Sequence, residues 1–101
     1  MGLKSMRILL VEDYPSTSKS VELSLKHEGY VIDAVELGED GVEIAKIYEY
    51  DLIILDIMLP DMNGYDVLRQ IRNSRLETPV LILSGLSDLD NKLKGLDTGA
   101  D

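Results

Sequence analysis

Short apolar runs alternate with segments of helical periodicity along this chain. Four runs of four or five mostly apolar residues are bounded by turn residues, and they predict strands at residues 7–11, 31–35, 52–55 and 79–83. Continuous apolar strands of this kind are typical of parallel sheets that are buried on both faces. The alternation of strands and helices therefore predicts an α/β domain with right-handed crossovers.

Helix boundaries follow from proline, glycine and the spacing of apolar residues. A first helix is predicted over residues 16–28, between Pro15 and Gly29, with hydroxyl side chains as its caps. These hydroxyl side chains are those of Ser16, Thr17 and Ser18. A second helix is predicted around residues 42–48 and a third over residues 64–72. The last helix carries a stripe formed by Leu86, Leu89, Leu93 and Leu96.

These elements make four βα units in one domain. No linker, repeat or low-complexity segment interrupts residues 6–101, which we predict to be that domain. Residues 1–5 are predicted to be a leader or a cloning scar.

Acidic residues directly follow two of the apolar runs. Glu12 and Asp13 come after the first run, and Asp56 comes after the third. The carboxyl ends of parallel strands meet at the edge of the sheet where ligands bind. Three carboxylates there would repel one another unless a cation lay between them, and oxygen ligands suit Mg²⁺. The sequence therefore predicts a metal-assisted phosphate site.

Each residue of this predicted site has a distinct chemical role. Asp56 is the candidate nucleophile, because a carboxylate beside a bound cation can attack a phosphoryl group and form an acyl phosphate. Asp13 would bind the ion directly, and Glu12 would bind it through water or orient the coordination shell. The carbonyl oxygen of Met58 would complete the protein's share, and the hydroxyl of Ser84 would contact a phosphoryl oxygen. Any one of these acids alone is more often an ordinary loop residue or helix cap, but their shared placement favours the site.

Composition and missing motifs exclude several other functions. The 101 residues contain no cysteine, which excludes a catalytic thiol and a disulfide framework, and the net charge of −9 disfavours direct binding of DNA or anionic lipid. No apolar stretch reaches the roughly 18 residues that span a bilayer, so a cytoplasmic protein with protein partners is expected. There is no phosphate-binding glycine loop and no nucleophile elbow around a serine. His27 is interpreted as a solvated residue near the end of the first helix.

Three motifs resemble the receiver domain of two-component response regulators. They are Val-Glu-Asp at residues 11–13, Asp-Ile-Met-Leu-Pro-Asp-Met-Asn-Gly at residues 56–64 and Leu-Ser-Gly at residues 83–85. The match runs in order over residues 6–101. Residues 37–41 and 79–86 resemble the CtrA-type cell-cycle transcriptional regulators in particular. Those regulators carry a winged-helix DNA-binding domain after the receiver.

The resemblance implies a signalling role and a fold. Asp56 would accept a phosphoryl group from a histidine kinase or a phosphotransfer protein, Glu12 and Asp13 would belong to an Mg²⁺ pocket, and Ser84 would be the switch hydroxyl. The implied fold is a flavodoxin-like doubly wound sheet with strand order 2-1-3-4-5. The implied activity is at most self-phosphorylation and self-dephosphorylation, which control a transcriptional output domain that is not in this chain.

Two departures from the family pattern are visible. Tyr14 stands where a third acid is frequent, which would alter the mouth of the pocket. The chain ends at Asp101, before the family's fifth strand and helix, so we expect those elements, their phosphate-contacting lysine and any DNA-binding domain to be missing. The strand at residues 79–83 would then be an exposed edge, and we expect a homodimer through that edge or through the last helix.

Two other functions remain open at this stage. The domain could be an interaction module that works without phosphorylation, in which case Asp56→Ala would leave partner affinity unchanged. It could also be a metal-dependent phosphohydrolase with an aspartyl nucleophile. That chemistry needs an acid two positions after the nucleophile, where this chain has Met58.

Overall fold

The computed structural model describes residues 5–83, and in this part of the chain four strands alternate with three helices. The strands are β1 (Arg7–Val11), β2 (Val31–Val35), β3 (Leu52–Asp56) and β4 (Val80–Leu83). The helices are α1 (Pro15–His27), α2 (Gly38–Ile47) and α3 (Gly64–Asn73). The predicted last helix with its leucine stripe lies outside the described residues, as does Ser84. None of the three described helices is long and apolar enough to cross a bilayer.

The strands form one parallel sheet with the order β2-β1-β3-β4. The α/β class and the doubly wound order implied by the resemblance are therefore confirmed for the described strands. In the register, Val11 lies beside Val35 on one side and beside Leu55 on the other. Residues that directly follow β1 are consequently level with Asp56, the last residue of β3.

Two apolar layers cover the two faces of the sheet. Alternate residues of each strand point to opposite faces. On one face Leu9 and Val11 pack with residues of α2 and α3, and on the other Ile8 and Leu10 pack with residues of α1. All four side chains are at most 2% exposed. This two-sided burial explains why β1 reads as a continuous apolar run.

The start of α1 differs from the sequence prediction. The helix begins at Pro15, its N-cap residue is Tyr14, and no side chain caps it. The prediction that Ser16, Thr17 and Ser18 cap this helix is therefore wrong. Proline suits the first helical position because it lacks an N–H that would need an acceptor, and its presence there places the three hydroxyl residues inside the first turn.

The end of α1 agrees with the sequence prediction. Gly29 adopts a positive φ of 94° just past the helix, and its N–H donates to the carbonyl of Lys26 at 2.9 Å. A left-handed residue at this position ends a helix, and glycine adopts that conformation without strain. His27 is exposed in the last turn of α1.

Candidate functional site

Three carboxylates converge at the carboxyl edge of the sheet. Glu12 and Asp13 directly follow β1, and Asp56 ends the neighbouring β3. Each offers a carboxylate oxygen, and these oxygens all lie within 4.8 Å of one another. The structure thus brings together the three acids that the sequence singled out.

Glu12 is the most buried member of the group. Its side chain is largely covered, and the residue is 7% exposed. Its backbone N–H donates to the carbonyl of Val35 at 3.0 Å, and its Oε2 accepts from the N–H of Tyr14 at 3.0 Å. Burial raises the pKa of Glu12 above its ordinary value. The N–H of Tyr14 opposes this change, while the negative charges of Asp56 and Asp13 add to it.

Asp56 is half-buried and its pKa is also raised. Burial is the largest cause, and the N–H of Met58 opposes it by donating to the carboxylate. The charge of Asp13 raises the pKa of Asp56 further, whereas the side chain of Glu12 and the backbone N–H of Ile57 lower it. Desolvation and like charge thus disfavour the ionised forms of Glu12 and Asp56, and a bound cation would relieve both.

The segment from residue 57 to residue 63, called here the β3–α3 loop, folds back on itself beside Asp56. Gly64 donates its N–H to the carbonyl of Ile57 at 2.7 Å, and Met58 and Asn63 form an antiparallel bridge. Asn63 also caps α3, because its Oδ1 accepts from the N–H of Tyr65 at 2.7 Å. The loop therefore begins and ends close to the candidate nucleophile.

The far end of this loop contacts the N-terminus of α2 through Asp61. Its Oδ1 accepts from the N–H of Gly38 at 2.8 Å, and its Oδ2 accepts from the N–H of Glu39 at 2.9 Å. Desolvation acts to raise the pKa of Asp61, but these two N–H groups help to hold it below its ordinary value. Sequence reasoning missed this contact. The available signal was Leu37, an N-cap residue with no side-chain acceptor of its own.

Two exposed side chains lie within two residues of the acids in the sequence. Tyr14 comes after Asp13 and is 59% exposed, and Met58 is 80% exposed. The role predicted for Met58 uses its backbone carbonyl and does not involve this side chain. Ser84, the predicted switch hydroxyl, lies outside the described residues.

The acidic group fits Mg²⁺ in its chemistry and its spacing. Mg²⁺ takes oxygen ligands at about 2.1 Å, so that oxygens on opposite sides of the ion lie about 4 Å apart. Three carboxylate oxygens within 4.8 Å of one another need only a small side-chain adjustment to reach that arrangement. Glu12, Asp13 and Asp56 are the residues in the described part of the chain that would hold the ion.

Metal binding should depend on Asp13 and on pH. We expect Asp13→Asn to weaken Mg²⁺ binding about tenfold, because one charged ligand is lost. Affinity should also fall as the pH is lowered, and the fall should begin above the ordinary carboxyl range, because the raised pKa values of Glu12 and Asp56 let protons compete with the metal there. A Mg²⁺ titration followed by the amide NMR signals of residues 12–13 and 56–58 measures both effects. Unmoved signals would exclude a metal at this position.

Comparison with known proteins assigns the family. The model of the response regulator receiver domain matches residues 8–101. The chain belongs to the response regulator receiver family. Two of the motifs that carry the resemblance are close together in the fold. Residues 11–13 and Asp56 lie at the same edge of the sheet.

Curated relatives of this chain include cell-cycle regulators. The chain is 52% identical over 96 residues to the cell cycle transcriptional regulator CtrA of Caulobacter vibrioides, covering 95% of this chain and 42% of that protein. It is 49% identical over 96 residues to the cell cycle response regulator CtrA of Brucella ovis, covering 95% of this chain and 41% of that protein. The chain therefore spans less than half the length of these relatives.

Solved structures of receiver domains share the fold. The receiver domain of the Francisella response regulator 1452 superposes with a TM-score of 0.78 at 27% identity, covering 96% of this chain and 80% of that one. The chemotaxis protein CheY4 of Vibrio cholerae superposes with a TM-score of 0.76 at 24% identity, covering 92% and 81%. At 24% identity, the similarity to CheY4 supports a shared fold and nothing more.

Proposed function

We propose that this chain is the phosphoacceptor domain of a two-component response regulator, with Asp56 as the phosphorylated residue. The convergence of Glu12, Asp13 and Asp56 at one sheet edge is the observation that carries this proposal. It supports Asp56 as a carboxylate nucleophile that lies beside two further acids, Glu12 and Asp13, which could hold a divalent cation. The raised pKa of Asp56 fits a group whose charge needs a cation nearby.

The proposed reaction transfers a phosphoryl group without changing oxidation state. A carboxylate oxygen of Asp56 attacks the phosphorus of a phosphohistidine, a new O–P bond forms, and the N–P bond breaks. The electron pair of that bond remains on the imidazole nitrogen, which then takes a proton from solvent. The product on this chain is an acyl phosphate on Asp56.

The other residues of the site bind and orient. Asp13 and Asp56 would bind Mg²⁺ directly, Glu12 would bind it through water or orient its shell, and the carbonyl of Met58 would supply a further oxygen. When bound there, Mg²⁺ supplies positive charge against the phosphoryl oxygens. The N–H of Met58 favours the ionised carboxylate of Asp56. The N–H of Ile57 donates to the carbonyl of Leu83 at 2.9 Å, which joins the start of the β3–α3 loop to β4. Ser84 is proposed as the hydroxyl that responds to phosphorylation.

The proposed partners follow from the family and from the relatives. The donor would be a histidine kinase or a histidine phosphotransfer protein in the cytoplasm. The similarity to CtrA suggests that a longer parent protein regulates transcription through a further domain that binds DNA. The net charge of −9 in this chain would repel the phosphates of DNA, which supports a parent protein in which the receiver domain itself does not contact DNA.

Phosphorylation by a small donor tests the proposal. Incubation with acetyl phosphate and Mg²⁺ should add one phosphoryl group to the chain, and removal of Mg²⁺ with a chelator should prevent it. Intact-mass measurement followed by mapping of the modified peptide would locate the group. Absence of any Mg²⁺-dependent mass increase would contradict the proposal. Sustained release of phosphate from phosphate esters, without a stable modification, would instead favour a phosphohydrolase.

A further inference from the structure

The N-terminus of α2 receives its hydrogen-bond acceptors from a distant part of the chain. The first N–H groups of a helix have no partner within the helix, and an N-cap side chain usually accepts from one of them. Leu37 at this N-cap has no side-chain acceptor. The two oxygens of Asp61 instead accept from the N–H groups of Gly38 and Glu39. One carboxylate thus joins α2 to the β3–α3 loop.

Close packing strengthens this junction. A Cβ atom on Gly38 would lie 2.5 Å from Cγ of Met62 and 2.8 Å from Cγ2 of Val67. Non-bonded carbon atoms do not approach so closely, so a larger residue at position 38 would force the side chains of Met62 and Val67 to shift. The first residue of α2 consequently lies directly against the residue that follows Asp61.

The same loop lies against the backbone of the candidate nucleophile. The N–H of Gly64, just past the end of the loop, donates to the carbonyl of Ile57 at 2.7 Å, and a Cβ atom on Gly64 would overlap the carbonyl oxygen of Asp56. The bridge between Met58 and Asn63 holds the two arms of the loop together, so the loop behaves as a short closed unit. A displacement at Asp61 would therefore reach the backbone of Asp56.

We propose that Asp61 is a positioning residue for phosphoryl transfer at Asp56. By binding the N-terminus of α2, it holds the β3–α3 loop against the backbone of Asp56 and so fixes the orientation of the nucleophile. This inference rests on the proposed phosphoacceptor function and adds a residue to it. Asp61 itself does not touch the phosphoryl group, so its removal acts on the orientation of Asp56 and not on binding of the donor.

Three variants test this role. Asp61→Ala removes both acceptors, while Asp61→Asn keeps one oxygen acceptor and loses the other. Asp51→Ala is the matched control, because Oδ2 of Asp51 accepts a backbone N–H, that of Arg7, at 2.8 Å at the opposite end of the sheet. The control therefore removes a similar bond without touching the loop. The measured quantities are the rate of phosphorylation at increasing acetyl phosphate and the amide NMR signals of Ile57 and Met58.

We expect Asp61→Ala to lower the maximal rate roughly tenfold with little change in the donor concentration that gives half of it, because the reacting oxygen is misoriented. Asp61→Asn should fall between Asp61→Ala and the unaltered chain. Asp51→Ala should keep the unaltered rate. Equal maximal rates in Asp61→Ala and Asp51→Ala would overturn the inference, as would unmoved amide signals of Met58 in Asp61→Ala. If the unaltered chain takes up no phosphate, the proposed function fails, and those amide signals still decide whether Asp61 positions the loop.

Discussion

Replacing Asp56 with asparagine should abolish phosphorylation without destabilising the fold. The amide is not a nucleophile of comparable strength, so we expect the rate of modification to fall roughly 10³-fold or more. Stability should be maintained because the charge on Asp56 is disfavoured by burial and by the charge of Asp13. Its raised pKa means that the folded state binds a proton more readily than the unfolded state does. Asp56 therefore contributes less stability as pH rises through that pKa. The neutral side chain of asparagine does not ionise, so Asp56→Asn avoids this loss of stability.

Two measurements separate these effects. Intact mass after incubation with acetyl phosphate and Mg²⁺ reports the modification, and urea unfolding at about pH 7 without Mg²⁺ reports the free energy of unfolding. Asp51→Asn is the control, since Asp51 lies just before the other end of β3 and outside the acidic cluster. It should be phosphorylated like the unaltered chain. Phosphorylation of Asp56→Asn at the unaltered rate would show that another residue is the acceptor.

The strands were predictable because burial on both faces of the sheet requires a continuous apolar run in the sequence. Residues such as Ile53 and Ile54 are fully buried on opposite faces of the sheet, so each position of the run is apolar. The small differences have local causes too. Asp56 extends β3 by one residue because it pairs with Leu83. Pro79 accepts from the N–H of Ile53 at 2.9 Å but has no N–H to donate, and β4 begins at Val80.

The acids of the site were predictable for a similar reason. Each acid directly follows an apolar run in the sequence, which predicts its position at the end of a strand. Parallel strands bring such ends together at one edge of the sheet. Asp61 was not predictable, because its two bonds join residues 22 and 23 positions apart and depend on how α2 packs beside α3. A hydrogen bond of 2.6 Å from the hydroxyl of Tyr50 to Oδ2 of Asp33 escaped prediction in the same way. Contacts of this kind arise from tertiary packing, which a local pattern does not encode.

Replacing Gly64 with alanine should disturb both the fold and the site. A Cβ atom on Gly64 would overlap the carbonyl oxygen of Asp56 and lie 3.0 Å from Cα of Ile57. Both neighbours are backbone atoms, which cannot rotate away as a side chain would. The hydrogen bond of 2.7 Å from the Gly64 N–H to the Ile57 carbonyl also opposes separation of the two segments. We expect the free energy of unfolding to fall by about 3 kcal/mol, at the upper end of ordinary overpacking.

A second glycine provides the control for this prediction. Gly29→Ala places a Cβ in open space but imposes a left-handed conformation with φ 94° on alanine, which costs about 1–2 kcal/mol. Both variants should therefore unfold at lower urea concentrations than the unaltered chain. Only Gly64→Ala should also slow phosphorylation under conditions where the chain is still folded, because its clash displaces the backbone of the nucleophile. Equal phosphorylation rates in the two folded variants would mean that the start of α3 can shift without moving Asp56, and the close approach of Gly64 would then matter for stability alone.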